Sequence, residues 1–368
     1  MGAPLKSLTL QGFKSIRNLE NFQLDNLNVL IGANGSGKSN FLELFRLLSA
    51  MTREDGLREY VEGAGDDYLF GGPKVTEKIV VKMLFGQNGY DFELTSTPQG
   101  FLMIRNETTH YFGYGGVTTK RIGGSSFDSA LLTARKEPGL FWEHGPAHYV
   151  YESLKSWKTY HFHDTSKESA LRRYNDFVVL KTLDSRGVGL ASLLYYLQTE
   201  RYNSYQEIVR CLRLALPFFD DFVLEPNSKN KILLNWRQKG LREYSLNPTQ
   251  FSDGSLRFIC LVAALLQPEL PTTLVIDEPE LGLHPAAIGL LAELIQGASQ
   301  RTQIVVATQS APFLDYFKPE NVIVANRSAG ESTFTRLEAS DLNVWLEDYT
   351  LGELWNRNIL AGGPVYER

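Results

Sequence analysis

The sequence predicts an α/β fold with a mixed central sheet, and three observations lead to this prediction. Residues 27–50, LNVLIGANGSGKSNFLELFRLLSA, contain a buried strand, a glycine-rich loop and an amphipathic helix in succession. Residues 272–285, TTLVIDEPELGLHP, contain a second buried strand that ends in two carboxylates. Residues 75–112 alternate apolar and polar side chains between turn signals, which is typical of an antiparallel sheet.

The glycine-rich loop is predicted to hold phosphate. Gly32, Gly37, Lys38 and Ser39 fit the pattern G-x-x-x-x-G-K-[ST] between a strand and a helix. Such a loop points successive backbone N–H groups and the positive helix end at one spot, so we expect Lys38 to reach the β and γ phosphates and Ser39 to hold Mg²⁺. The other binding positions are Asn34, Gly35, Ser36, Gly37 and Asn40. A chance glycine-rich turn is the alternative, and the flanking strand and helix argue against it.

The carboxylates at the end of the second buried strand are predicted to serve hydrolysis. In a parallel sheet, Asp277 and Glu278 would emerge beside the phosphate loop. Asp277 suits Mg²⁺ coordination, and Glu278 suits the base that orients and deprotonates a water molecule. An acidic strand exit with solvated charges is the alternative.

A second small-residue turn, Ser252, Asp253, Gly254 and Ser255, precedes the strongly apolar helix pattern that ends at Leu266. A helix N-terminus of this kind is a second anion site. If it faced the nucleotide of another copy, two chains would enclose two ATP molecules. An ordinary helix cap by Ser252 or Asp253 is the alternative and, taken alone, is the better explanation of these residues.

The motifs GANGSGKS, FSDGS, LVIDEPE, ELGLHP and VVATQS, in this order, resemble the ABC-type ATPase heads of the RecF, SMC and OLD proteins, especially the short OLD-like AAA-family ATPases of bacteria. The resemblance covers residues 1–50 and 245–325 closely. It implies a P-loop NTPase fold, an ABC-type head with an antiparallel β subdomain and a compact helical insert, that binds ATP and Mg²⁺. It also implies that Ser252, Asp253 and Gly254 contact ATP held by a second copy, and that Glu280 to His284 form the loop across the dimer seam.

The last motif departs from the family pattern. Where the family often has a histidine that contacts the γ-phosphate, this chain has Gln309. Glutamine donates hydrogen bonds but does not titrate near neutral pH. We count Gln309 with Lys38 and Glu278 as catalytic residues and expect hydrolysis to be slow or dependent on a partner.

Four consecutive segments are expected along the chain. Residues 1–165 would form an N-terminal lobe with the phosphate loop and the antiparallel meander, in which the glycine-rich residues 113–126 form a mobile loop. Residues 166–228 would be a helical insert, since 167–216 read as helical. Residues 229–340 would be a C-terminal lobe, and residues 341–368 a helical tail. Trp345 and Trp355 of this tail are either exposed for docking or folded back on the core.

Two polar clusters leave their roles open. His161, His163 and Asp164 lie close together in sequence, but zinc needs a further ligand. Their position also resembles the family's loop that joins the lobes and senses the γ-phosphate, although the glutamine expected there is missing. A polar strand exit is the commonest explanation. A second cluster, a hairpin over residues 229–246, is rich in basic residues. It either contacts nucleic acid or is a solvated sheet edge. Its basic residues are Lys229, Lys231, Arg237, Lys239 and Arg242.

Composition restricts the class of protein. The formal net charge of −5 gives no overall basic field for nucleic acid, and no apolar run is long enough to cross a membrane. Cys211 and Cys260 lack metal-ligand spacing, and the N-terminus lacks a secretion signal. We therefore expect a cytoplasmic protein without a membrane segment.

The resemblance implies an ATP-dependent homodimer that acts as a switch for a separate effector, such as a nuclease, or for DNA, in bacterial anti-phage defence or DNA repair. No Asp-x-Asp pair follows Gln309, so a Toprim nuclease module is not expected. The motor subunit of an ABC transporter and a P-loop kinase are the alternatives. A transporter motor usually has two glycines after the serine of its signature turn, which here is residues 252–255, and a histidine in the last motif, whereas this chain has Asp253 and Gln309. A P-loop kinase would not need the signature turn.

Overall fold

A computed structural model describes residues 2–139, 143–162, 164–241 and 243–360, and the chain divides into two units. Unit 1 consists of Met1–Trp157, Thr272–Val275 and Thr302–Arg368. Unit 2 consists of Lys158–Pro271 and Ile276–Arg301. The four consecutive segments expected from the sequence are a different division of the chain and remain a prediction.

The described residues form eighteen strands and eleven α-helices. The strands are β1 (Leu5–Phe13), β2 (Ile16–Gln23), β3 (Leu27–Ile31), β4 (Ile79–Phe85), β5 (Asn88–Ser96), β6 (Leu102–Gly113), β7 (Gly116–Arg121), β8 (Ser125–Ser126), β9 (Lys158–Tyr160), β10 (Asn175–Asp176), β11 (Phe219–Val223), β12 (Lys231–Ile232), β13 (Asn235–Gln238), β14 (Ser245–Leu246), β15 (Thr273–Asp277), β16 (Gln303–Thr308), β17 (Val322–Ser328) and β18 (Glu331–Arg336). The helices are α1 (Lys38–Ala50), α2 (Gly56–Val61), α3 (Leu131–Ala134), α4 (Pro146–Ser156), α5 (Leu190–Glu200), α6 (Tyr202–Ala215), α7 (Asp253–Leu266), α8 (Pro285–Ser299), α9 (Ala311–Leu314), α10 (Ala339–Leu346) and α11 (Leu351–Asn356).

Unit 1 contains an antiparallel sheet in the order β2-β1-β4-β5-β6-β7, with β8 beside β6. The predicted meander is confirmed by the antiparallel pairing of β4 with β5 and of β5 with β6. The prediction of a mobile loop over residues 113–126 is wrong, because Gly116–Arg121 pairs with β6 as an exposed strand. The glycines there make a tight turn, with Gly113 opposite Gly116, and the Val-Thr-Thr sequence after them favours a strand.

A second sheet of unit 1 has the order β18-β17-β3-β16-β15. Strand β3 runs parallel to both β16 and β17, whereas β17 and β18 are antiparallel, which confirms the predicted mixed sheet. All five residues of β3 are buried, as expected of a central parallel strand. Strand β15 belongs to unit 1 as far as Val275, and its last residues belong to unit 2.

Helix α1 is anchored by its predicted apolar stripe. Phe41, Leu44, Phe45 and Leu48 are each at most 1% exposed. They join one hydrophobic cluster with residues of both sheets of unit 1, and the rings of Phe45 and Trp157 lie 4.9 Å apart. Burial of aromatic and aliphatic side chains is the main stabilising term in such a core, so the N-terminus of α1 is held firmly.

Unit 2 contains α5, α6, α7 and α8 and a small sheet in the order β11-β13-β14. The expectation that residues 167–216 are helical holds only from Leu190 onward. Before it, Asn175 and Asp176 pair as a short strand, and Gly187 and Gly189 have φ angles of 79° and 85°, which do not continue a right-handed helix.

The predicted basic hairpin of unit 2 is confirmed in outline. Strands β13 and β14 pair with Trp236 opposite Leu246, and the chain turns between them at Gly240, whose φ is 84°. Arg242, counted among its basic residues, lies outside the described residues.

The predicted helical tail of unit 1 contains α10 and α11. Trp345 is 44% exposed, whereas Trp355 is half-buried. Helix α11 is fixed by a hydrogen bond of 2.6 Å from the backbone N–H of Gly352 to the Asp315 carboxylate. Within the described parts of the chain, no helix combines the length and apolar character needed to cross a membrane.

Candidate nucleotide site

The loop between β3 and α1 follows a path that glycine makes accessible. Gly35 and Gly37 have φ angles of 77° and 107°, in the left-handed region. A Cβ atom on Gly37 would lie 2.2 Å from Ser332 Oγ and 3.1 Å from Ser15 Oγ, whereas a Cβ on Gly35 would meet open space. Backbone angle alone therefore selects glycine at position 35, and backbone angle and packing together select it at position 37.

Lys38 is the first residue of α1 and is only 6% exposed. Its ammonium group donates hydrogen bonds to the carbonyl oxygens of Gly32, at 2.6 Å, and Ala33, at 3.1 Å. A buried ammonium group is unfavourable unless its donors are satisfied, so these carbonyls fix the cation at the start of the loop. The side chain of Lys38 thus folds back onto the loop that precedes it, and its role toward phosphate stays a prediction.

Two serines in and after the loop differ in exposure. The Ser36 hydroxyl is buried and has no hydrogen-bond partner among the described residues. Ser39, in the first turn of α1, is exposed. Its hydroxyl oxygen is a hard ligand of the kind that Mg²⁺ prefers, and its position is open to solvent. The position of Ser39 is therefore open to an oxygen-rich ligand, whereas the hydroxyl of Ser36 is enclosed by the protein.

A buried network that the sequence analysis missed supports the first turn of α1. Ser332 Oγ and Asn40 Nδ2 each donate a hydrogen bond of 2.7 Å to Ser15 Oγ. Ser15 is 5% exposed and Ser332 is 1% exposed. The side-chain amide of Asn40 thus contacts the protein, and its predicted role toward the nucleotide stays a prediction. No local pattern could reveal this network, because Ser15 and Ser332 are 317 positions apart.

Arg327 is a second residue that the sequence analysis did not single out. It is exposed near the end of β17, and its Nη1 atom donates a hydrogen bond of 3.3 Å to the carbonyl of Gly35. Strand β17 runs parallel to β3 with Val324 opposite Ile31, so residues that follow Val324 extend past the end of β3. Arg327 could therefore have been found from its position just past the point where a neighbouring parallel strand passes the end of β3.

Gln309 emerges at the same sheet edge as the loop. In the parallel pairing of β16 with β3, Thr308 lies opposite Ile31, and Gln309 and Gly32 are the next residues. Gln309 is exposed, and Ser310 after it caps α9 by accepting a hydrogen bond of 3.2 Å from the N–H of Phe313. The structure thus brings one predicted catalytic residue to the edge of the sheet that carries the loop.

The predicted acidic residues stand in unit 2, at the end of β15. Asp277 is the last residue of the strand and is half-buried. Glu278 has a φ of 44°, a left-handed conformation that is uncommon for a residue other than glycine, and it precedes a proline. In the loop that follows, Glu280 is 9% exposed, and His284 caps α8 by accepting a hydrogen bond from Ala286.

The signature turn, residues 252–255, begins α7 in unit 2. Ser252 Oγ accepts a hydrogen bond of 3.1 Å from the N–H of Ser255, which confirms the predicted helix cap. A Cβ atom on Gly254 would lie 2.2 Å from the carbonyl oxygen of Gly282, and Arg257 donates a hydrogen bond to the carbonyl of Leu281. The structure therefore brings together the signature turn and the loop of residues 280–284.

Asp253 in this turn forms an ion pair that the sequence did not reveal. Arg172 Nη2 donates a hydrogen bond of 2.7 Å to Asp253 Oδ1. This bond, with smaller contributions from Thr165 and nearby cations, lowers the pKa of Asp253 below the usual value for an aspartate. Asp253 is therefore ionised throughout the neutral range.

The suggested metal cluster is not supported among residues that the structure describes. In these ranges, no group of three or more histidine, cysteine, aspartate or glutamate residues is placed to hold a metal ion. His163 lies outside the described residues. The backbone N–H of His161 donates to the carbonyl of Ser185, which fits a polar strand exit.

Comparisons with known proteins agree with a nucleotide site. A family model described as AAA domain, putative AbiEii toxin, Type IV TA system matches residues 27–315. Curated proteins gave no match to the sequence. Solved structures gave matches.

Two of these solved structures are SMC heads. One is a SmcHead bound to the C-winged helix domain of ScpA, with 14% identity and a TM-score of 0.57 over 92% of this chain and 99% of that chain. Another is a Smc head domain with an extended coiled coil, bound to the C-terminal domain of ScpA derived from Pyrococcus furiosus. It has 14% identity and a TM-score of 0.54 over 94% of this chain and 99% of that chain. At such low identity these structures establish the fold alone.

Proposed function

Because the chain belongs to the family described as AAA domain, putative AbiEii toxin, Type IV TA system, and has the fold of an SMC-like ABC-type ATPase head, we propose that it binds and hydrolyses ATP and that ATP closes two copies into a dimer. The dimer acts in the cytoplasm as a switch for a separate effector or for DNA. One step of this proposal, nucleotide binding, has direct geometric support.

The buried ammonium group of Lys38 is the observation that carries the proposal. It is held by two carbonyls at the start of a loop whose later glycines, Gly35 and Gly37, adopt left-handed angles. In this arrangement a cation and the N-terminus of α1 serve the same loop, which suits the phosphates of a nucleotide. A triphosphate carries more negative charge than the carbonyls and is expected to replace them as the acceptor for Lys38.

Hydrolysis is assigned to the residues predicted for it. Ser39 and Asp277 would hold Mg²⁺, which when bound supplies a counter-charge for the phosphates. Glu278 would orient a water molecule and accept its proton. Gln309 would donate a hydrogen bond to the terminal phosphate without changing its own charge, so turnover is slow or depends on a partner.

The signature turn is assigned to the nucleotide of a second copy. Ser252 and Asp253 are exposed at the N-terminus of α7, so this helix end is open to a ligand. The first backbone N–H groups of a helix lack partners within the helix and favour an anion. A triphosphate bound in the loop of one copy would thus join two chains.

A separate protein partner is proposed by analogy. The two SMC heads compared above are described as bound to domains of ScpA. We assign to this chain an effector such as a nuclease, within bacterial anti-phage defence or DNA repair. Contact with DNA would use the basic hairpin, where Lys229 and Lys239 are exposed.

The test measures molecular mass and phosphate release. With ATP and Mg²⁺, the Glu278→Gln variant is expected to become a dimer and the unchanged protein to release phosphate slowly. The Lys38→Met variant serves as the control with strongly reduced ATP affinity and is expected to stay monomeric at ATP concentrations that saturate Glu278→Gln. A Glu278→Gln protein that binds ATP but remains a monomer contradicts the proposed switch and favours a kinase-like function.

A further inference from the structure

The signature turn contains a charge that opposes its proposed ligand. Asp253 follows the capping Ser252 directly, and its side chain is 71% exposed. The resemblance implies that residue 253 contacts the ATP of a second copy, yet a carboxylate there repels a triphosphate, because like charges within a few ångströms cost free energy even near a protein surface. Any such contact would therefore involve the backbone of Asp253 and not its charge. A turn that binds phosphate and contains an aspartate therefore needs a counter-charge.

Arg172 provides this counter-charge from inside the protein. Its side chain is only 6% exposed, and Nη2 lies 2.7 Å from Asp253 Oδ1. Its other donors contact backbone carbonyls: Nε contacts Thr165 at 2.7 Å, and Nη1 contacts Pro248 at 2.9 Å and Phe251 at 3.0 Å. One guanidinium group thus binds the carbonyls before the turn and the carboxylate within it.

One of the carbonyls that Arg172 holds belongs to a buried aromatic residue of unit 2. Phe251, immediately before Ser252, is 3% exposed, and its ring stacks on Trp236 at 4.4 Å between centroids. Aromatic stacking of this kind restricts motion, and the planar fork of arginine matches several acceptors at fixed positions. Arg172 therefore connects the turn to a fixed aromatic cluster.

We propose that Arg172 is a positioning residue for the signature turn: by neutralising Asp253, it allows Ser252 and the start of α7 to accept the triphosphate of a second copy. This inference rests on the proposed function. Because Arg172 is buried, it acts through Asp253 and the backbone and does not touch the nucleotide. Arg172 also holds the backbone before the turn, but only neutralisation of Asp253 predicts rescue by a neutral residue at position 253.

The test uses the full chain with Glu278→Gln, in which the ATP-bound dimer is expected to accumulate. To this parent we add Arg172→Gln, Asp253→Asn, or both, and measure the dimer dissociation constant by analytical ultracentrifugation in saturating ATP. Arg173→Gln is the matched control, because Arg173 is exposed and pairs only weakly with Glu168, at 3.8 Å. Binding of ATP to the monomer reports separately on the loop that contains Lys38.

The expected results differ among the variants. Arg172→Gln weakens the dimer about tenfold or more, Asp253→Asn leaves it as tight or tighter, and the double variant recovers most of the loss. Arg173→Gln changes nothing, and all variants keep the monomer's affinity for ATP. Recovery in the double variant is the result that a merely structural role would not produce.

Three results would overturn the inference. They are an Arg172→Gln protein that dimerises like its parent, a double variant as weak as Arg172→Gln, and a dimer weakened about tenfold by Asp253→Asn alone. If Arg172→Gln does not fold, the dimer dissociation constant of Asp253→Asn alone tests the inference. A Glu278→Gln parent that stays monomeric in ATP overturns the proposed function instead.

Discussion

The Lys38 ammonium group lies 2.6 Å from the carbonyl oxygen of Gly32, so the cation is already hydrogen-bonded to the loop that precedes it. A charged hydrogen bond of this kind is short and strong, and the carbonyl of Ala33 provides a second acceptor at 3.1 Å. A phosphate must replace these acceptors to use the cation. Lys38 thus contacts two carbonyls of the loop, and under the proposed function it would exchange them for a phosphate when the nucleotide binds.

Replacing Lys38 by methionine tests this double role. The change keeps most of the length of the side chain and removes the charge, so ATP affinity should fall about a hundredfold or more, by the loss of about 3 kcal/mol of charged hydrogen bonding. The free energy of unfolding without ATP should change by only about 1 kcal/mol, because the buried charge is removed together with its bonds. Calorimetric titration and urea unfolding measure the two quantities. Unchanged ATP affinity would contradict the assignment of the loop.

Alanine at Gly37 and at Gly35 should have unequal effects. Both residues have left-handed backbone angles, which cost an alanine about 1 kcal/mol, but only at Gly37 does the added Cβ meet Ser332 Oγ at 2.2 Å. Gly37→Ala should therefore lower the free energy of unfolding by about 2–4 kcal/mol and Gly35→Ala by about 1 kcal/mol. Chemical denaturation measures both, with Gly35→Ala as the matched control. Equal losses would mean that Ser332 does not constrain the loop.

The two hydrogen bonds that Ser332 and Asn40 donate to Ser15 should be energetically coupled. Ser332→Ala and Asn40→Ala each remove one hydrogen bond to Ser15 Oγ and should each cost about 1 kcal/mol of stability. Because both bonds end on one oxygen atom, the two losses should not add, and a double-mutant cycle should give a coupling of about 0.5 kcal/mol or more. Strict additivity would show that the two bonds are independent.

The parts of the site that the sequence predicted are the parts that are local in the chain. The strand, loop and helix of residues 27–50 follow one another, and each has its own pattern, so their arrangement could be derived without the structure. The cap by Ser252 was predicted for the same reason, since its partner Ser255 is three residues away.

The parts that the sequence did not predict depend on distant partners or on tertiary context. Ser15 meets Ser332 across 317 positions and Arg172 meets Asp253 across 81, and neither pair has a local signal. Strand β7 was mistaken for a loop because its glycines mark a turn and its strand residues gain their order from pairing with β6. Helical periodicity over residues 167–189 was overruled by glycines and polar turn residues.

The contribution of the Asp253 carboxylate to the free energy of unfolding should depend on pH. Arg172 holds the pKa of Asp253 below the ordinary value of about 3.9, so its contribution to stability is present above about pH 4 and is lost as the pH falls through the depressed pKa. The stability difference between the unchanged protein and Asp253→Asn should thus be constant from about pH 7 to pH 5 and shrink below about pH 4. Urea unfolding at a series of pH values measures it. A difference that persists unchanged at low pH would show that the charge of Asp253 is not involved.

The backbone at Glu278 should carry a measurable strain. Its φ of 44° places an L-residue in the left-handed region, and the following Pro279 restricts it further. Glycine at this position avoids the clash but loses more entropy on folding, so Glu278→Gly should be more stable than Glu278→Gln by only about 0.5–1 kcal/mol. Comparing these two variants removes the carboxylate from both, so the difference reports on the backbone angle together with the contacts of the glutamine side chain. Both should bind ATP and fail to hydrolyse it. If Glu278→Gly is instead the less stable of the two, the left-handed angle costs nothing there, and the strained conformation has no part in placing the proposed base.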